Sequence, residues 1–152
     1  EQLSILLPQL NLAFELKLPV IVHCRDAAKE MLEVFSKLSE DGCCPRGVMH
    51  CWSGNVKEMR EFLDLGFFIS FSGNVTFKNA IDIHECAREV PLSRFLVETD
   101  SPFLSPVPFR GKRNEPSFVK HVVDKISEIK GVSFSEVAEK STQNARELFA
   151  LP

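Results

Sequence analysis

No apolar run in the 152-residue chain approaches the roughly 18 residues that a membrane-crossing helix needs, so no span is expected. The chain carries no signal-peptide pattern, no internal linker and no low-complexity segment. It has no C-x-x-C pair either. Its cysteines, Cys24, Cys43, Cys44, Cys51 and Cys86, are odd in number, which argues against a zinc ribbon and against a disulfide framework. Reduced thiols in an intracellular compartment, cytoplasm or nucleus, fit better, and simple burial is the ordinary role of each. A large excess of positive charge is missing too: 18 basic and 21 acidic residues leave a net charge of −3. The surface as a whole therefore does not attract nucleic acid, and any phosphate binding must be local. There is no initiator Met, and "EQLSILLPQL" is already helical in rhythm, so the sequence is expected to begin part-way through a larger arrangement.

What is present is a core. At 44% hydrophobic residues and the length of one ordinary domain, the chain can bury one. Four strand-sized runs rich in Val, Ile and Phe stand out: "PVIVHC" (19–24), "RGVMHC" (46–51), "GFFISFS" (66–72) and "RFLVETD" (94–100). Apolar stripes at helical spacing lie between and around them. Leu3, Leu6, Leu7, Leu10, Ala13 and Phe14 form the first. Ala28, Met31, Leu32, Phe35 and Leu38 form the second, with Asp26 as the expected N-cap. Val56, Met59, Phe62 and Leu63 are closed by Gly66, and a weaker stripe, Ala80, Ile83, Ala87 and Val90, stops at Pro91. After a Pro- and Gly-rich loop, 101–113, Asn114 is placed to cap a helix bearing Phe118, Val122, Val123 and Ile126. Ser133 and Glu136 have the spacing of a capping box for the last helix. Strand–helix alternation repeated in this way predicts βαβ units and a parallel sheet. A closed (β/α)8 barrel needs roughly 250 residues, so the two options are half of one or a small doubly wound sheet.

The polar residues are unevenly placed. His23, His50 and Asp100 each fall at the C-terminal end of a predicted strand, the edge where parallel α/β folds collect ligands and catalysis. One such histidine reads as a core or capping residue. Two in matching contexts, "VHC" and "MHC", with an aspartate, read as a site for a divalent cation such as Zn, Mn or Mg. On an extended strand Glu98 shares a face with Asp100, and Arg25 with His23. Arg25 and Glu98 then form a buried pair or orient the ligands, unless the strand ends at His23 and Arg25 is solvated. "PFRGKRNEP" groups Arg110, Lys112 and Arg113 around Asn114, after a loop and before a helix, where phosphate is attracted; solvated loop charges are the plain alternative. Trp52 and Phe103 lie beside the same edge and either stack on a base or lid the core. His84 and His121 sit within helical patterns and are expected to be packed or solvated.

The stretches "PVIVHCRDA", "HCWSG", "VETDSPFLSPVPFRGKRNEP" and "STQNARELF", in this order and spacing, resemble the TatD-like metal-dependent hydrolases. That family is a branch of the amidohydrolase-like TIM barrels and includes deoxyribonucleases. The resemblance runs over essentially the whole chain. It implies a site for one or two divalent cations, with His23 and His50 matching two histidine ligands. Asp100 matches an aspartate that serves as ligand and as acceptor of the attacking water's proton. It also implies hydrolysis of phosphodiester bonds, DNA more than RNA, with Arg110, Lys112, Asn114 and Trp52 as substrate contacts. Some members are credited with removing D-amino acids from tRNA.

The family's early H-x-H pair and its bridging Glu have no counterpart here. The chain therefore resembles the C-terminal half of such a barrel, strands five to eight, as a single domain over 1–152 with the N-terminal half absent. Two open sheet edges and an uncovered inner face are expected. So is either a homodimer or a half supplied in trans, or else a truncated module without catalysis.

Overall fold

Every one of the four apolar runs forms a strand, each shorter than the run that carries it: β1 Val20–His23, β2 Gly47–His50, β3 Phe68–Phe71 and β4 Phe95–Val97. The computed structural model describes all 152 residues, Glu1–Pro152. The strands form one parallel sheet in the order β1-β2-β3-β4. Helices α1 Gln2–Glu15, α2 Ala28–Glu40, α3 Val56–Asp64, α4 Ile81–Glu89, α5 Val119–Lys130 and α6 Phe134–Phe149 surround it.

The helix ends follow local chemistry, with three departures from expectation. Gly66 and Gly131, at φ +89° and +68°, supply left-handed turns just past α3 and α5. Asn55 accepts from the Glu58 N–H while the Glu58 carboxylate accepts from the Asn55 N–H, a complete capping box for α3. At α6 only half of the expected box exists: Ser133 Oγ accepts from the Glu136 N–H at 3.1 Å. Asp26 does not cap α2. It takes a left-handed φ of +53°, and Ala27 occupies the N-cap position without a side-chain bond. The chain reverses at Asp26 itself, so the helix begins one residue later than the sequence suggests. Asn114 also caps no helix, because a short 3₁₀ turn, Pro116–Phe118, precedes α5.

Strand alternation divides the sheet into two faces. Val22, Met49, Ile69, Phe71 and Phe95 face the helices and join Phe35, Met59, Phe62, Val122 and Ile126 in the main core. Phe35, Phe62 and Phe67 pack ring against ring, with Phe35 and Phe67 centroids 4.5 Å apart. The other face runs in register through Ile21, Val48 and Phe68, then Ser70 and Leu96. Its apolar residues Val48, Phe68 and Leu96 are closed over by Leu148 of α6, with Ala145 and Phe149 alongside. Nearer the strand ends the same face turns polar: His23 beside His50, then Ser70, and Glu98 past the end of β4.

The expectation of two open edges and an uncovered inner face is thus half corrected. Side chains of α6 occupy the outer edge of β4. Ser141 Oγ accepts from the Val97 N–H at 3.0 Å, and Asn144 Nδ2 donates to the carbonyls of Phe95 and Leu92 at 2.8 and 3.0 Å. Both side chains are buried. The bonds to Val97 and Phe95 satisfy outer-edge backbone groups of β4. The opposite edge is bare: β1 pairs with β2 alone, Ile21 is 66% exposed, and Leu3, Leu7 and Phe14 of α1 are exposed beside it.

Candidate metal centre

The parallel register places His23 directly beside His50, and their ring centroids are 6.0 Å apart. Immediately after His50 the backbone reverses. Cys51 has φ +50°, and the Trp52 N–H donates to the Ser70 carbonyl at 2.8 Å. Cys51 Sγ lies 3.1 Å from Ser72 Oγ, Ser72 Oγ donates to Asn74 Oδ1 at 2.9 Å, and Asn74 Nδ2 donates to the Trp52 carbonyl at 3.1 Å. This chain of bonds holds the turn that aims His50. Burial pushes the Cys51 thiol up to about 11, so it stays protonated near neutral pH and is no nucleophile.

His50 stands between two carboxylates. Its Nδ1 lies 2.8 Å from Glu98 Oε1 and 2.9 Å from Oε2, and Oε2 also accepts from Ser70 Oγ at 2.6 Å. Its Nε2 lies 3.4 Å from Asp100 Oδ1. All three side chains are about three-quarters buried. One ligand atom from each of His50, Glu98 and Asp100 falls within 4.8 Å of the others.

The donor set fits a divalent cation, and the geometry sorts the roles within it. The Nδ1 proton given to Glu98 leaves the Nε2 lone pair facing an Asp100 oxygen. Two lone pairs at that separation repel unless a proton or cation lies between them. Ligand atoms each about 2.1 Å from a tetrahedral ion stand about 3.4 Å apart, so the gap suits a shared metal. Glu98 Oε2 already serves Ser70 and His50, and Oε1 is buried 2.8 Å from the same His50 Nδ1 with no separate donor of its own. Glu98 is thus suited to orient His50, and His50 and Asp100 are suited to ligate, while His23, exposed at the end of β1, lies outside this group of three.

Asp100 does not reach this position by strand alternation. β4 ends at Val97, and although the Glu98 N–H still bonds the Phe71 carbonyl at 3.0 Å, the chain then leaves the sheet. Asp100 has φ +56°, a left-handed conformation that Asp tolerates better than most residues. Asn114, 3% exposed, clamps the turn: its Nδ2 donates to the carbonyls of Thr99 and Phe103, both at 2.7 Å, and its Oδ1 accepts from the Glu115 N–H at 2.9 Å. Its amide is fully engaged, which removes it from the substrate contacts expected of it.

Two further expectations fail. Trp52 is buried at 4% exposure, donates Nε1 to Cys86 Sγ at 3.3 Å and packs edge-on against Phe62, so it belongs to the core and offers no face to a base. Arg25 lies beyond the end of β1, 83% exposed with Asp26 3.8 Å away, and orients no ligand. Arg110 and Lys112 are exposed and have no carboxylate within salt-bridge distance; Arg110 lies over the Phe77 ring at 4.3 Å and Lys112 is 6.0 Å from that of Phe109. His84 bonds the Val75 carbonyl and His121 lies against Phe109 and Phe118, so neither joins the cluster. The sequence reading missed Ser70 as the second donor to Glu98. Its signal was there, a lone polar residue on the inward parity of "FFISF".

The chain also matches known proteins over almost its whole length. The family profile described as TatD related DNase matches residues 1–150. A metal-dependent hydrolase of Bacillus subtilis strain 168, YabD, is 46% identical over 144 residues, covering 94% of this chain and 55% of that protein. The 3'-5' ssDNA/RNA exonuclease TatD of a Rahnella species is 36% identical over 148 residues, covering 94% and 56%. Among solved structures, the TatD homologue YJJV of Escherichia coli K12 superposes with a TM-score of 0.90 at 28% identity, over 99% of this chain and 57% of that one. The chain spans about half the length of the relatives it matches.

Proposed function

Since this chain belongs to the TatD-related DNase family, we propose that it forms the C-terminal half, strands five to eight, of a metal-dependent phosphodiesterase barrel that trims nucleic-acid ends, DNA more than RNA. The observation that carries the reading is the Nε2 to Oδ1 gap of 3.4 Å between His50 and Asp100, with Nδ1 already held by Glu98. His50, Asp100 and His23 would hold one or two divalent cations, Mg, Mn or Zn. A cation there supplies Lewis acidity to the phosphoryl oxygen and lowers the pKa of water. Asp100 accepts the proton of the attacking water. Glu98 fixes the ring plane and tautomer of His50 through Nδ1. Arg110 and Lys112, free of carboxylate partners, neutralise charge on the phosphate.

The bare edge of β1 supports the half-barrel reading. A groove of about 560 Å³ lined by Leu6, Leu10, Val20 and Ile21 runs along it, next to the exposed apolar face of α1. Four further strands would cover that edge and bring additional ligands, whether on the same polypeptide, in trans or from a second copy of the chain. The unpaired cysteines favour a reducing compartment.

Asp100→Asn tests the assignment in a protein with the barrel completed. Turnover of single-stranded DNA at saturating Mn²⁺ is expected to fall by roughly 100-fold or more, the usual worth of a positioned proton acceptor. Wild-type turnover in that variant would end the reading.

A further inference from the structure

Phe103 is the most exposed large apolar side chain of the protein, at 68%. It sits three residues beyond Asp100, on a loop that is anchored along its length. The Phe103 N–H donates to the Asp100 carbonyl at 2.8 Å, and the Phe103 carbonyl accepts from the buried Asn114 at 2.7 Å. The loop then passes so close to Gly73 that a Cβ there would overlap the Leu104 carbonyl oxygen and stand 3.1 Å from the Pro106 nitrogen. Ser105 is buried, and the Val107 N–H donates to Thr76 Oγ1 at 2.9 Å. Both backbone polar groups of Phe103 are therefore fixed while its ring is left in water. The ring is only partly covered. Ile21 and Leu3, also exposed, belong to the bare β1 edge, and Ile81, 65% exposed, opens α4.

We propose that Phe103 is a stacking platform for the nucleobase next to the scissile phosphate. The site would thereby prefer base-bearing phosphodiester ends without choosing among the bases. This rests on the phosphodiesterase reading and deepens it. An aromatic face accepts any base, since every base offers a π face, and a fixed backbone lowers the ordering cost of the contact. Arg110 and Lys112, exposed and without a carboxylate partner, follow on the same loop, so one segment offers a surface for a base and charges for its phosphate.

The test uses the barrel-complete protein, a short single-stranded oligodeoxyadenosine, and the same oligomer with its terminal residues made abasic. Phe103→Ala and Phe103→Leu are expected to raise KM for the base-bearing oligomer about tenfold with kcat little changed, and to leave KM for the abasic one at the wild-type value. Phe103→Trp is expected to keep wild-type KM and to show fluorescence quenched by the base-bearing oligomer but not by the abasic one. An unchanged KM in both truncated variants, or an equal rise for both oligomers, overturns the proposal. Quenching of the Trp variant by both oligomers alike overturns it too. A wild-type protein that cleaves neither oligomer fails the phosphodiesterase reading instead, and the fluorescence arm still reads the stacking by itself.

Discussion

Asn114→Ala should separate the loop clamp from the rest of the fold. The side chain makes three hydrogen bonds: to the carbonyls of Thr99 and Phe103, both at 2.7 Å, and from the Glu115 N–H at 2.9 Å. A hydrogen bond contributes about 1 kcal/mol net, and water can replace the bond to the exposed Glu115, so the loss from the two carbonyls is about 2 kcal/mol. For a chain of this length, a deficit of about 2 kcal/mol lowers Tm by roughly 4–8 °C. Asn114→Asp keeps the acceptor for Glu115 but sets a carboxylate against two carbonyls, so it should destabilise at least as much. Thermal and urea unfolding of both variants measure the effect. Because Thr99 precedes Asp100, both should also show a smaller Tm increase on adding Mn²⁺ than the parent. A loss below about 0.5 kcal/mol in the alanine variant, the range of an ordinary surface change, would refute the reasoning. So would an aspartate variant as stable as the parent.

Glu98→Gln replaces one of the two carboxylate oxygens that face His50 Nδ1, at 2.8 and 2.9 Å, with an NH2 that can only donate. Affinity for Mn²⁺ should fall by about 10–100-fold by calorimetry on the barrel-complete protein, and unchanged affinity would remove Glu98 from its orienting role. Phe35→Ala deletes a fully buried ring packed on Phe62 and Phe67 and should cost about 3–5 kcal/mol in urea unfolding. Burial pushes the Cys86 thiol from 9.0 up to about 11. The fold favours the neutral thiol, so this contribution is complete below pH 9.0 and is lost as pH rises through about 11. Cys86→Ala should therefore show a flatter decline of Tm over that alkaline window than the parent, and identical slopes would contradict the burial argument.

The strands, the helices behind them and the strand-end positions of His23 and His50 were legible in the sequence because they depend on local periodicity. An apolar run of β-branched and aromatic residues makes a parallel strand wherever it lies, and the polar residue that ends it marks the rim. Alternation also tells which residues share a face, so Ser70 and Glu98 could be assigned to the side of His50. Alternation does not say what covers a face or where a chain leaves the sheet. Arg25 lost its expected place because β1 stops at His23. Trp52 lies beside a site residue in sequence, yet the left-handed turn at Cys51 sends its ring into the core. Asn114 reads as a helix cap or a phosphate ligand until its distant partners, Thr99 and Phe103, are known. Asp100 meets His50 only through a positive φ that this clamp supports. Identity and spacing determined which chemistry the chain carries. Contacts between residues far apart in sequence decided which side chains face one another, since hydrogen bonds and packing across the sheet override the local preferences of any single segment.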